Sequence, residues 1–192
     1  MEDERGRSVV CLGFFDGVHR GHLALLQAAR EKARDLGCIV VAHTFDHAPG
    51  SKGRELTGLP ERERLLLAAG ADQVAVSVFD DAMRRMTGEE FFRTVVLDRL
   101  RACHVVCGDD HRFGYKGAWG VEELEAMCRE AGIGLTVVPP VTLPDGRRIS
   151  STLIREAVAN RDWAAAESML GRPLPKETPE RGEDGQAPGH EE

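Results

Sequence analysis

Gly13-Phe14-Phe15-Asp16-Gly17-Val18-His19-Arg20-Gly21-His22 follows directly on the apolar run 9–12 and leads into an amphipathic stretch, residues 22–36. A short β-branched run, a glycine-bounded loop and a helix start in one piece are the opening of a strand–loop–helix unit. The first turn of a helix presents N–H groups with no intrahelical partner and the positive end of the dipole, so this place suits a phosphate. His19 and His22 stand three apart, and the turn into the helix can aim both rings at one point, where their N–H groups would hold phosphate oxygens. Gly21 carries no side chain to obstruct that approach. Two histidines at this spacing also occur on ordinary surfaces. Gly13, Phe15 and Asp16 ahead of them, with a strand in front, favour the nucleotide-binding reading. The sequence contains neither a Walker A motif nor a G-x-G-x-x-G after the first strand, which disfavours a P-loop kinase and a dinucleotide dehydrogenase.

Outward from this unit, short apolar runs alternate with longer amphipathic ones. Strands are predicted at 9–12, 39–44, 73–78, 104–107 and 135–138, and helices at 22–36, 60–69, 88–100, 121–131, 151–159 and 162–170. Most of the strands lack polar alternation, as expected where both faces of a parallel sheet are covered. The predicted fold is therefore α/β, a Rossmann-like parallel five-stranded sheet with flanking helices. Gly37, the pair Thr87 and Glu90, and Gly132 or Gly134 mark helix ends. Ligands of such sheets bind beyond the carboxyl ends of the strands, so the loops after Leu12, Thr44, Cys107 and Val138 are the ones to search.

A second candidate for phosphate chemistry is Arg147-Arg148-Ile149-Ser150-Ser151-Thr152-Leu153-Ile154-Arg155, again at a helix start. Three hydroxyls there can be no more than an N-cap with two spares. Arg155, one turn in from Ser151, and Arg148, arriving from the other side, add bidentate phosphate partners and suggest a polyphosphate cradle.

Composition bounds the alternatives. The 192 residues are 42 % hydrophobic, enough to bury one core, and the formal charge of −7 argues against a general nucleic-acid binder. No apolar run reaches the length of a membrane span and the start of the chain is not signal-like, so a cytoplasmic protein is expected. The five cysteines, Cys11, Cys38, Cys103, Cys107 and Cys128, lie mostly in apolar runs and read as reduced core residues. Cys103 and Cys107, four apart on a strand, would be separated by ~13 Å, which does not suit zinc. Residues 173–192 hold six acids, two bases and four of the nine prolines, with Leu174 as their single large aliphatic, and are expected to be disordered. This divides the chain into a polar arm at 1–7, one domain at 8–172 and an acidic tail.

Together the two motifs resemble the HxGH nucleotidyltransferase superfamily, and more closely the FAD synthetase (FMN adenylyltransferase) module of the bacterial bifunctional riboflavin kinase/FAD synthetases. The resemblance runs from about residue 8 to 174. It includes Thr44-Phe45-Asp46, Leu56-Thr57 with Glu61-Arg62, Gly88-Glu89-Glu90-Phe91, Gly108-Asp109-Asp110-His111-Arg112-Phe113-Gly114 and Leu170-Gly171-Arg172-Pro173. It implies transfer of AMP from ATP to FMN, giving FAD and pyrophosphate, with Mg²⁺ accompanying ATP and no metal ligand indicated. By the same resemblance His19, His22 and Arg155 are catalytic. ATP is implied to lie against Gly13, Phe14, Phe15, Asp16, His19, His22, Arg148, Ser150, Ser151, Thr152 and Arg155. The flavin is implied at Phe45, His47, Pro49, Asp110, His111 and Phe113. The chain departs from the family pattern in three places. F-D-P-H-P reads Phe45-Asp46-His47-Ala48-Pro49, the first Phe of G-x-D-F-x-F-G is His111, and Phe14 stands where Asn is usual. No riboflavin kinase module follows Leu170-Gly171-Arg172-Pro173, so FMN is expected from elsewhere. The departures touch the acceptor side more than the ATP side, which leaves room for a related transferase with another phosphorylated acceptor, or for a non-catalytic flavin- or nucleotide-binding protein. ATP and FMN are the expected small-molecule partners, with no nucleic acid or membrane, and the oligomeric state is left open.

Overall fold

The computed structural model describes residues 7–50 and 55–174; all but residue 7 of the arm expected at 1–7, and all but residues 173 and 174 of the tail expected at 173–192, lie outside the described residues. Five strands, β1 Ser8–Leu12, β2 Ile39–Phe45, β3 Gln73–Ser77, β4 Ala102–Gly108 and β5 Gly134–Val138, form one sheet in the order β3-β2-β1-β4-β5, and every pairing is parallel. All five residues of β1 are buried, and they alternate between two cores. Val9 and Cys11 face a cluster with Leu26 and Ala29 of helix α1, Arg20–Leu36, and Leu66 of α2, Leu59–Ala68. Val10 and Leu12 face the other, with Phe91, Val96 and Leu124. A strand with both faces covered has no polar side to show, which is why its sequence reads as an unbroken apolar run.

The remaining helices are α3 Asp81–Arg85, α4 Gly88–Phe91 continuing as a π-helical stretch Phe92–Arg99, α5 Val121–Glu130, α6 Ser151–Ala159 and α7 Trp163–Leu170, with a 3₁₀ turn at Tyr115–Gly117. The expected end signals are in place. Gly37 caps α1 at φ 65°, and Thr87 and Glu90 close a reciprocal capping box of 3.2 and 2.9 Å at the start of α4. Three readings need correction. Helix α1 begins at Arg20 rather than 22, so His19 is its N-cap and His22 lies in its first turn. The predicted helix 88–100 changes to π geometry at Phe92, and α3 went unread.

The chain runs β1-β2-β3 to one side, then returns to place β4 and β5 on the other. Neighbouring strands β1 and β4 therefore send their following loops apart, and a crevice opens between their carboxyl ends. Helices α6 and α7, with their own small core around Ile154 and Met169, bring Ser150–Arg155 over this crevice. Leu174, assigned to the tail from sequence, packs on this core, and its N–H donates to Glu167 Oε1 at 3.0 Å.

Candidate active site

The crevice is a cleft of about 430 Å³, walled by residues 12–16, the first turn of α1, residues 108 and 110–112, residues 138–141 and residues 148–152 with Arg155. This size accommodates a nucleotide. Three of the four loops singled out from sequence reach it; the loop after β2 lies to one side.

The loop between β1 and α1 is held in a costly conformation. Phe15 and Val18 have φ of 59° and 40°, a region that non-glycine residues rarely occupy, and Gly17 sits between them at 80°. Its holders are identifiable. Asp16, 2 % exposed, accepts the Leu56 and Thr57 N–H groups on Oδ1 at 2.8 and 3.1 Å, and its Oδ2 pairs with Arg155. Its carbonyl accepts the Ser151 hydroxyl at 2.8 Å. Thr57 Oγ1 accepts the Gly17 N–H at 3.0 Å, and Arg172 donates to the carbonyls of Gly17 and Val18 at 2.7 and 3.0 Å. Asp16 thus ties both motifs together from inside the protein.

At the head of α1 the rings of His19 and His22 stack, with centroids 3.6 Å apart. The His19 N–H donates to His22 Nδ1 at 3.3 Å, which in the neutral ring places the His22 proton on Nε2. His19 Nδ1 is buried with no hydrogen-bond partner among the described residues. Burial, with Arg172 and Arg148 nearby, lowers the His19 pKa to about 4, and burial beside His19 holds His22 well below its usual value. Both rings are neutral near pH 7. A Cβ on Gly21 would lie 3.0 Å from the His19 ring, so a side chain there would push that ring from its position.

Across the cleft, Ser150 is the N-cap of α6, accepting the Leu153 N–H at 3.2 Å. Of the three hydroxyls, one therefore caps, one (Ser151) holds Asp16, and Thr152 is exposed at the cleft. Arg148 rises on a short hairpin bridged at Thr142 and pairs with Asp109, and at 3.3 Å with Asp110, on the opposite rim.

The residues proposed for the flavin are divided by the fold. Asp110 and His111 line the cleft with the ATP-side residues. Phe113 is buried beneath, stacked on His111 at 5.7 Å and 6.0 Å from Phe91. Phe45 lies on the β2 side, His47 is exposed with Nδ1 2.9 Å from Asp46, and Pro49 is exposed beyond it. What joins the two groups is a row of rings that sequence reading missed. Phe79 meets both His47 and Phe45, Phe45 meets His43, and His43 meets Phe91, at centroid distances of 5.1 to 5.9 Å. Burial lowers the pKa of His43 to about 3 and of His111 to about 4, so these two rings are uncharged near neutral pH. Arg62 was also missed. It is fully buried, donates to the Phe45 carbonyl at 2.8 Å and stacks 4.2 Å from the Phe14 ring, coupling the β1 and β2 loops. The available signal was its position three and four residues before Leu65 and Leu66, on the buried face of α2.

Residues 1–153 match the family model described as FAD synthetase. The chain belongs to the FAD synthetase family. With it the chain is a nucleotidyltransferase, an enzyme of FAD biosynthesis. It is 36 % identical over 175 residues to the bifunctional riboflavin kinase/FMN adenylyltransferase of Escherichia coli strain K12, covering 86 % of this chain and 55 % of that protein. The protein of that description from Pseudomonas fluorescens is 34 % identical over 91 % of this chain and 57 % of its own length. A relative from Geobacillus thermodenitrificans is 35 % identical over 87 % of this chain and 91 % of its own. The chain thus spans about half the length of the first two and most of the third. Among solved structures, a protein described as a macrolide-efflux protein from Streptococcus pneumoniae superposes with a TM-score of 0.78 at 31 % identity, over 88 % of this chain and 57 % of that one. Among the described residues no helix is long and apolar enough to cross a membrane. Pantoate-beta-alanine ligase from Francisella tularensis, 13 % identical over 82 % of this chain and 70 % of its own, with a TM-score of 0.53, shares the fold.

Proposed function

We propose that the cleft holds ATP with its triphosphate between the His19/His22 turn and the head of α6, in the FMN adenylyl transfer that defines the FAD synthetase family. An oxygen of the FMN phosphate forms a bond to the α-phosphorus in line as the bond to the bridging oxygen breaks, and pyrophosphate leaves. Such a reaction needs position and charge stabilisation, not a covalent intermediate. His19 and His22 donate from neutral rings to the α-phosphoryl oxygens; Thr152, Arg155 and the open amides of α6 hold the leaving phosphates. Gly13, Phe14 and Phe15 form the wall beneath, with Asp16 as a positioning residue. Arg148 exchanges its aspartates for phosphate. Mg²⁺ belongs to the ATP substrate, since it binds through phosphate oxygens and one or two carboxylates. Asp110, with a largely exposed side chain on the rim, is the carboxylate at hand. The flavin lies along the ring row, with Phe45 and His111 giving stacking area, Phe113 backing His111 from beneath, and His47 and Pro49 at its outer edge.

The observation that carries this reading is the convergence of the stacked His19/His22 pair, the α6 N-terminus and the Asp16–Arg155 tie on one cleft at the switch point of the sheet. Incubation with MgATP and FMN, read by chromatography, tests it. FAD and pyrophosphate should form in equal amounts. Consumption of ATP only with a different phosphate monoester, or none with any acceptor, would overturn it.

A further inference from the structure

The five cysteines do not share one environment. Cys11, Cys107 and Cys128 are at most 1 % exposed, and burial pushes the thiols of Cys107 and Cys128 up to about 12 and 11, as it does that of Cys103 to about 11. Cys38 and Cys103 instead meet at the amino-terminal end of the sheet, opposite the cleft. Cys38 follows the α1 cap and immediately precedes β2; Cys103 is the second residue of β4. Strand β1 runs between those two strands, yet the thiols cross over it, with Sγ atoms 3.1 Å apart. Each is also oriented by a backbone carbonyl, Cys38 by Leu36 at 3.5 Å and Cys103 by Ser8 at 3.4 Å. Cys38 is half-buried, whereas Cys103 is 7 % exposed. All five are free thiols, as read from the sequence, and Cys38 is the one that is not fully buried.

We propose that Cys38 and Cys103 form a modification site, a dithiol that a hydroperoxide converts reversibly into an intramolecular disulfide. The accessible thiol reacts first. The Cys38 sulfur attacks one peroxide oxygen, the O–O bond breaks, and Cys38 becomes a sulfenic acid while water, or the alcohol of an organic peroxide, leaves. The Cys103 sulfur then attacks the Cys38 sulfur, and the hydroxyl leaves as water with the Cys103 proton. Two thiols and one hydrogen peroxide give one disulfide and two waters. The sulfurs have about 1 Å to close, since a disulfide spans about 2.0 Å, and the backbone at Cys38, just outside β2, must draw toward β4, because the two strands lie about 9–10 Å apart across β1. The bond closes a long loop, from the start of β2 to the start of β4, and constrains the unfolded chain accordingly. It fastens the sheet at the end away from the cleft.

The test uses the full chain, treated with a small excess of hydrogen peroxide, then alkylated and mapped by peptide mass. The expected product is a Cys38–Cys103 cross-linked peptide, two hydrogens lighter than the dithiol, with Cys11, Cys107 and Cys128 alkylated only after unfolding. The thermal midpoint should rise by about 5–10 °C and return on reduction with dithiothreitol. Cys38→Ser should abolish both the cross-link and the shift. Cys103→Ser should leave Cys38 to advance to the sulfinic acid, for want of a resolving thiol. Wild-type protein in which Cys38 is oxidised without a cross-link, in which another cysteine pair forms, or whose midpoint does not rise would overturn the proposal.

Discussion

Asp16 accepts bonds from Leu56, Thr57 and Arg155 on its carboxylate and from Ser151 on its carbonyl, so one buried side chain and its own peptide join three segments remote in sequence. Removing the charge while keeping the shape isolates that contribution. Asp16→Asn should destabilise the protein by about 2–4 kcal/mol, because it removes the buried carboxylate charge that pairs with Arg155 and accepts the Leu56 and Thr57 N–H groups. ATP affinity should fall with it, as Arg155 and the β1 loop lose their hold on each other. Denaturant unfolding and calorimetric titration read the two effects, and a variant as stable as wild type would show that the ion pair carries no net weight. From sequence, Asp16 was assigned to ATP itself. Nothing in the letters separates an aspartate that touches a ligand from one that ties the loop that does.

At the scale of elements, the head of α6 divides its hydroxyls between folding and binding, and the division is testable. Ser150→Ala removes an N-cap and should cost about 1 kcal/mol of stability with little change in the KM for ATP. Thr152→Ala should leave stability alone and raise the KM for ATP about tenfold, the loss of one hydrogen bond to a charged group. The reverse pattern would put the caps and contacts in the wrong places. Five parallel strands and the histidine turn were legible because burial on both faces leaves continuous apolar runs and because a strand, a glycine loop and a helix start are local in sequence. The ring row was not. His43, Phe45, Phe79, Phe91 and Phe113 come from four separate segments, His43 and Phe45 sharing β2, and only the assembled fold brings them together. Arg62 was hidden for another reason: an arginine on an amphipathic helix ordinarily reads as solvent-facing, and its burial depends on the Phe45 carbonyl and Phe14. The π turn after Phe91 has no counterpart in the letters at all.

For the whole molecule, the buried histidines set the response to acid. His43, His19 and His111 are held neutral, with pKa values of about 3, 4 and 4, and His22 and His104 are lowered as well, all chiefly by burial. In the unfolded chain each would titrate near 6.5. As pH falls below that value the unfolded state takes up protons that the folded state refuses, so stability is complete above about pH 6.5 and is lost progressively down to about pH 4. The thermal midpoint should therefore drop steadily between pH 7 and pH 4.5. A flat profile across that interval would mean the rings are charged in the folded protein.

The rate of FAD formation by His22→Ala, against wild type at saturating MgATP and FMN, tests the account most directly. His22 is positioned by the His19 amide and stacked on the His19 ring, so a preorganised donor to the developing phosphoryl charge is lost without disturbing the acceptor side. The account predicts a kcat lower by about 10²-fold or more, with FMN binding little changed. A variant that makes FAD at the wild-type rate would contradict it.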